Sequence, residues 1–479
     1  MCAKLPHPLR LLLATPILFS PLLAFLWAPS VAAQCPDVPV ASISSSRVPS
    51  DVCIPQNFPK TQNPIAFFDD YSWKTFIALV WPAKPSERGA ADPGQQVNGQ
   101  GPRVFETYKA LWETFHTDDS APLPWNSLTP DKANACSASP AFGDLVIASF
   151  SKFGDIGQAG FGTLVGPLVA QNRSYVRYLT GFNRVEFEQI LNSKLYLRNG
   201  SQPNALPFQN SSLDVKSAWL VMKGVAHPER FYKRMALVLD PETNACSSVE
   251  IGLVGLHIVQ KTPSRPQWIW SSFEQVDNVP PAAPDAPGTF LFNDGTGQPM
   301  PRVNPYSISP LPLPVAAPFN VDRLRPIHSS TSTTNAAYRT LLRQAGGPWQ
   351  FYQLVMTQWP LEPNRPDLDG GIANTFPGQL DATSSFSNVT LETFEQRSVA
   401  TGCMSCHTNA GTDFVWTVAD HAFPSLIPEE LVRDPAFRRL RSLMQLGAIA
   451  STAPRQELKF IIVNQPAKVS PTPVPKMPQ

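Results

Sequence analysis

Proline occupies 52 of the 479 positions, about twice its usual share. Each proline fixes φ at about −65° and lacks a backbone N–H, so it ends helices and is confined to turns, loops and strand edges. A chain this rich in proline is driven toward short elements joined by ordered loops. A core is still available: 43% of the residues are hydrophobic and 16% charged, which places the chain with globular proteins. Its length allows one large domain or two to three ordinary ones. The formal net charge is +1. With no basic stripe and no acidic block, nucleic acid is not an expected partner.

Residues 1–33 read as an export signal. Lys4 and Arg10 supply a positive start, Leu11 to Trp27 is apolar, and Val31-Ala32-Ala33 offers small residues for cleavage. Gln34 precedes Cys35, where lipidation would need a small residue. An uncleaved anchor is the alternative, but Pro16 and Pro21 interrupt the apolar run. No later run approaches the roughly 18 apolar residues that a membrane-crossing helix needs. The expectation is a periplasmic or secreted protein with no transmembrane segment after signal cleavage. Cysteine usage agrees with an oxidising compartment. Beyond Cys2 and the pair at 403 and 406, four remain, and the expected disulfides are Cys35–Cys53 and Cys136–Cys246. Four free thiols are the alternative.

Residues 34–64 are rich in proline and serine and read as extended. "FFDDYSWKTFIALVWP" has Trp73, Phe76, Ile77 and Val80 at helical spacing, with Asp69 or Asp70 placed to cap. "RVFETYKALWETF" repeats the pattern and predicts a second aromatic-faced helix. "SYVRYLTGF", "LDVKSAWLVM", "FYKRMALVLD", "EIGLVGLHIVQ" and "PQWIWSSFEQV" predict five strands of a largely antiparallel meander. The fourth is apolar on both faces and predicts a central strand. "DPETNA" fits a hairpin connection. A Pro-rich excursion covers 279–319. A capped helix ("STTNAAYRTLLRQA") and another strand ("PWQFYQLVMTQWP") follow. "NVTLETFEQRSVA" predicts a short helix, "DPAFRRLRSLMQLGAIA" a second one capped by Asp434, and "QELKFIIVNQ" a returning strand. The fold class is therefore α+β: a large β-rich mixed domain over 34–385, a C-terminal helical segment over 386–455, and a terminal strand with a Pro-rich tail over 456–479.

The chemistry concentrates at "CMSCH", Cys403 to His407. Cys-x-x-Cys-His lets both thiols form thioethers to one haem edge while the adjacent imidazole reaches the iron. Seven cysteines and seven histidines placed at random would give such a triplet about 0.0015 times. The competing readings are a redox dithiol, which wants a strand before the pair in a βαβ setting, and a zinc site, which wants further ligands nearby. Only His421 is close in sequence. On Cys403, Cys406 and His407 the chain resembles the c-type cytochromes, over residues 386–455. The resemblance implies one covalently attached haem c with His407 as proximal iron ligand. It also implies a second axial ligand, often a methionine from a later loop. Here Met444 would lie inside a helix. The larger pattern ("SWKTFIALVWP", "GLHIVQKTP", "LETFEQ…CMSCH") is similar to that of large exported bacterial proteins of the cytochrome c family, a likeness that supplies no activity.

Met444, His421 and His257 are the candidate second ligands, and a vacant position is the fourth possibility. His257 sits mid-strand, with Gly252 and Gly255 shortly before it in the same strand, and glycines within a strand can mark close approach of a ligand or another backbone. Each candidate also has an ordinary role: a gap-filling core methionine, a surface or capping histidine, a hydrogen-bonded core histidine. A six-coordinate iron suits electron transfer to a periplasmic redox partner; an open one suits a haem enzyme or a ligand-binding sensor. "GFGTLVG" (160–166) lacks the setting of a phosphate loop and "DLDGG" (367–371) lacks the later ligands of a calcium loop. Asn388-Val389-Thr390 is a glycosylation sequon.

Overall fold

The computed structural model describes residues 35–59, 62–116, 118–128, 136, 141–147, 166–197, 207–240, 245–281, 290–305, 317–360, 363, 387–397, 402–407 and 413–416. The chain divides into two compact units, 1–35 and 36–479. The export signal, the 160–165 and 367–371 glycine segments, Asp434 and its helix, and the returning strand lie outside the described residues, as do His421 and Met444.

The second unit is built on a mixed, strand-rich sheet. Its strands are β1 (Lys109–Ala110), β2 (Leu145–Ile147), β3 (Arg177–Phe182), β4 (Leu213–Val221), β5 (Lys233–Leu239), β6 (Cys246–Thr262), β7 (Arg265–Gln275) and β8 (Tyr352–Gln358). The helices are α1 (Ile65–Leu79), α2 (Leu111–Thr114), α3 (Arg184–Asn192), α4 (Ser329–Ala345) and α5 (Cys403–His407). Strand order runs β1-β3-β4-β6-β5-β2, with β7 and then β8 added beside β6. β6 is the spine. One edge pairs with β4; the other carries β5 along its first half and β7 along its second. Among the described strands every pairing is antiparallel except β2 with β5. β2 also approaches β3, so the sheet curls. The largely antiparallel pairing and the central strand are as expected, but the expected meander is broken: β4 and β5 do not pair with each other and lie on opposite edges of β6.

Register assigns the two sheet faces. Side chains directly across a ladder share a face. Asp214, Val259, Trp270 and Gln358 form one row, and Lys216, His257, Ser272 and Met356 the next. The alternate face meets α1. Tyr71 donates to Gln260 Oε1 at 2.5 Å, Ser72 Oγ lies 2.7 Å from Ser271 Oγ, and the Trp73 and Phe273 rings pack edge to face at 5.1 Å. α4 backs α1: Tyr338 stacks on Trp73 at 5.0 Å, and Trp73 Nε1 donates to Asn335 Oδ1 at 2.9 Å. His328 caps α4, its Nδ1 accepting from Ser330 N at 3.2 Å.

Three local expectations are corrected. Asp69 and Asp70 do not cap α1; they lie inside it, buried, and Pro64 precedes the helix. The helix expected over "RVFETYKALWETF" is broken into a 3-10 turn (Val104–Thr107), β1 and α2. Glu106 folds back onto the Arg103 N–H at 2.7 Å and Glu113 onto the Ala110 N–H at 3.0 Å. Each carboxylate starts its own turn, and Lys109–Ala110 pairs with β3 between them. Over the described residues 387–397, the helix expected before the motif is a string of turns with one 3-10 helix, Glu395–Arg397. Cys136 and Cys246 form a disulfide with Cα atoms 5.7 Å apart, and Cys35 and Cys53 are also disulfide-bonded. Among the described residues no helix is long and apolar enough to cross a membrane.

Candidate functional site

The segment entering the motif is bound to the sheet face opposite α1. Asn388 Nδ2 donates to Ser272 Oγ at 3.0 Å and to Phe273 O at 2.9 Å, and Val389 N donates to Glu274 Oε1 at 2.6 Å. Tyr178 Oη donates to Thr390 O at 2.6 Å. Asn388 is only 1% exposed, so the sequon is buried and closed to glycan attachment. Gly255 lies beneath this segment: a Cβ there would collide with Thr390 Oγ1. Gly252 faces Met222 in the same way. These strand glycines make room for protein atoms.

α5 is a single helical turn, Cys403–His407. Cys403 N donates to Gln358 Oε1 at 2.7 Å, tying the start of the motif to the last residue of β8. Gly402 is pressed on the same amide, where a Cβ would sit 2.6 Å from Gln358 Nε2. Met404 is fully buried in the main core. Cys403 is a free thiol, partly exposed. Burial pushes its pKa far above the usual thiol range, and the nearby Glu392 carboxylate adds to the rise. A reactive dithiol needs the opposite, a stabilised thiolate. The side chain of Cys406 lies outside the described residues.

His407 is held on two sides. Its Nδ1 lies 2.7 Å from the Phe414 carbonyl oxygen. Its ring meets Trp270 of β7, centroids 4.4 Å apart and tilted by 54°. A carbonyl only accepts, so Nδ1 carries the proton and Nε2 keeps its lone pair. Burial lowers the His407 pKa to about 4 against the hydrogen bond to Phe414, and His257 adds to the lowering. The imidazole is therefore neutral at pH 7. A neutral imidazole with its second nitrogen bonded to a backbone carbonyl is the form in which histidine ligates metals. Of the three side chains that would hold a haem, Cys403, Cys406 and His407, the two described ones lie on one turn, and His407 is in the ligating form.

Of the three candidate second ligands, the described residues include only His257. It lies near enough to His407 for charge on one to oppose charge on the other. Its Nε2 is 3.4 Å from Glu392 Oε1, and Asn388 N donates to Glu392 Oε2 at 3.0 Å. Lys216, directly across the ladder from His257, adds a third polar group, and burial lowers its pKa. His257, Glu392, Lys216, Cys403 and His407 each keep part of their surface open. Among the described residues no three His, Cys, Asp or Glu side chains gather so as to hold a metal ion. The sequence singled out Cys403, His407 and His257. It did not single out Phe414, Trp270 or Gln358, whose parts are played by a backbone carbonyl, a ring face and an amide. Glu392 sat in the quoted "LETFEQ" with no sign of its partner. No family model, curated protein or solved structure matches the chain.

Proposed function

We propose that this is an exported protein carrying one covalent haem on Cys403, Cys406 and His407, and that it transfers electrons between partners outside the cytoplasm. The observation that carries the reading is the Phe414 carbonyl on His407 Nδ1, which leaves Nε2 as the free donor. The haem would supply reversible one-electron chemistry at iron. The protein's own residues would orient the proximal imidazole through Phe414, wall one side of it with Trp270, and fix the motif through Gln358. The disulfide-bonded cysteines support export.

A second reading is an open haem site that binds or turns over a small oxidant or gas. The His257–Glu392 pair favours it. A histidine held by a carboxylate can hydrogen-bond a bound ligand as readily as it can ligate iron. One experiment separates these readings. The protein is made in a host that matures haem c, and its spectrum is recorded oxidised, reduced, and reduced with carbon monoxide. Covalent haem that survives acid–acetone extraction is expected in the native chain and lost in Cys403→Ala/Cys406→Ala. A low-spin spectrum indifferent to carbon monoxide supports electron transfer, and a carbon monoxide shift supports the open site. Absence of covalent haem in the native chain would sink both.

A further inference from the structure

The hold on His407 begins at two residues with backbones in the left-handed region. Asp413 has φ 43° and Phe414 φ 73°. Asp tolerates that region; a bulky residue such as Phe rarely does. The pair is pinned from outside. Asp413 Oδ2 accepts from Lys261 Nζ at 2.6 Å and from Phe208 N at 2.7 Å. The Lys261 and Asp413 side chains are 7% and 9% exposed, so this ion pair is largely shielded from water. Lys261 belongs to β6, the spine of the sheet, and its ammonium lies 5.8 Å from the Trp268 ring centroid. Phe414 and Val415 are buried in the main core. The ion pair, the Phe208 amide and the buried ring together turn the Phe414 carbonyl toward His407 Nδ1.

We propose that Lys261, Asp413 and Phe414 form a clamp that selects the Nδ1–H tautomer of His407 and aims its Nε2 as the ligand nitrogen. A free imidazole populates both tautomers; a fixed acceptor at Nδ1 leaves one. The same hydrogen bond makes Nε2 a stronger donor, which favours the oxidised iron. Asp413 and Lys261 are positioning residues, acting through Phe414. The iron in this account rests on the haem reading; the tautomer does not.

The test uses the full chain in two forms: haem-loaded, and Cys403→Ala/Cys406→Ala, which cannot attach haem. In the second form the ring nitrogens of 15N-labelled histidine are read by NMR, with His407→Gln to assign the signal. His407 is expected as a single Nδ1–H tautomer. Asp413→Asn and Lys261→Met should each populate both tautomers, and Lys261→Arg should restore one. In the loaded protein the first two variants should raise the midpoint potential while Lys261→Arg leaves it in place. Far-UV circular dichroism checks folding, and Lys261→Met carries the test if Asp413→Asn does not fold. A mixed or Nε2–H imidazole in the unmutated clamp would overturn the proposal, whatever the variants do. An unchanged Nδ1–H tautomer in both folded variants would overturn it as well. Failure to attach haem removes the haem reading and leaves the NMR result to judge the clamp.

Discussion

A methyl group at Gly255 has nowhere to go. It would meet Thr390 Oγ1 and stand 3.3 Å from Asn388 Oδ1, two atoms already hydrogen-bonded to each other at 2.7 Å. Gly255→Ala must therefore lift the 388–394 segment from β6 or bend the strand. Overpacking of this kind costs about 1–3 kcal/mol. The expected outcome is a lowered thermal midpoint and, on the haem reading, a reduced yield of attached haem, since the same segment carries Glu392 and leads into Gly402. An unchanged midpoint would mean that the segment is not seated on Gly255. The site was only partly readable at this scale. Cys403, Cys406 and His407 stand out in the sequence because a Cys-x-x-Cys-His spacing is a matter of residue type and count. The role of Phe414 does not, because any residue has a carbonyl, and what aims it is an ion pair between residues 152 positions apart.

Among the elements, α1 shows both what pattern reading captures and what it misses. Its aromatic face was legible in the spacing of Trp73, Phe76 and Ile77. Its polar contacts to the sheet were not, because Asp69 and Ser72 look like surface residues until β7 and β8 are placed against them. Asp69 Oδ1 accepts from Thr357 at 2.8 Å, and the Thr331 hydroxyl also favours the ionised form, but burial outweighs both. Burial raises its pKa from 3.8 to about 7. A carboxyl whose folded pKa lies above its unfolded one favours folding at low pH, and that contribution is lost as pH rises through the folded value. Asp69→Asn removes this titration and keeps an acceptor for Thr357. The stability gap between variant and parent should therefore move in the variant's favour by about 2 kcal/mol from pH 5 to pH 8, measured by urea unfolding across that range. A constant gap would mean that Asp69 stays ionised throughout. The strands were legible for a related reason: β-branched and aromatic runs between turn residues are local features. The broken helix over 104–115 was not, because its apolar spacing is helical. What breaks it is the return of Glu106 and Glu113 to cap their own turns, together with pairing to β3, which follows some 70 residues later.

Across the whole molecule, β6 links two regions with different duties. Its second half, with β7 and β8, carries the residues that hold the motif. Its first half pairs with β5, which in turn carries β2. The Cys136–Cys246 disulfide closes a 110-residue separation at that second region, fastening residue 136 to the first residue of β6. Loop-closure entropy for a span of this size stabilises the fold by about 4–5 kcal/mol, and measured losses run at about 2–5 kcal/mol. Cys136→Ser/Cys246→Ser should lower the unfolding free energy by that amount. The disulfide sits at Cys246, which pairs with Leu239 at the end of β5, so amide exchange should quicken first in β5 and its short parallel partner β2. β7, β8 and, on the haem reading, the haem spectrum should stay as they were, because His407 and Cys403 are anchored through Trp270 of β7, Gln358 of β8 and, by way of Asp413 and Phe414, Lys261 in the second half of β6. Equal loss of protection in β5 and β7 would show instead that the sheet opens as one unit. The anchors of the motif would then depend on a disulfide at the other end of β6.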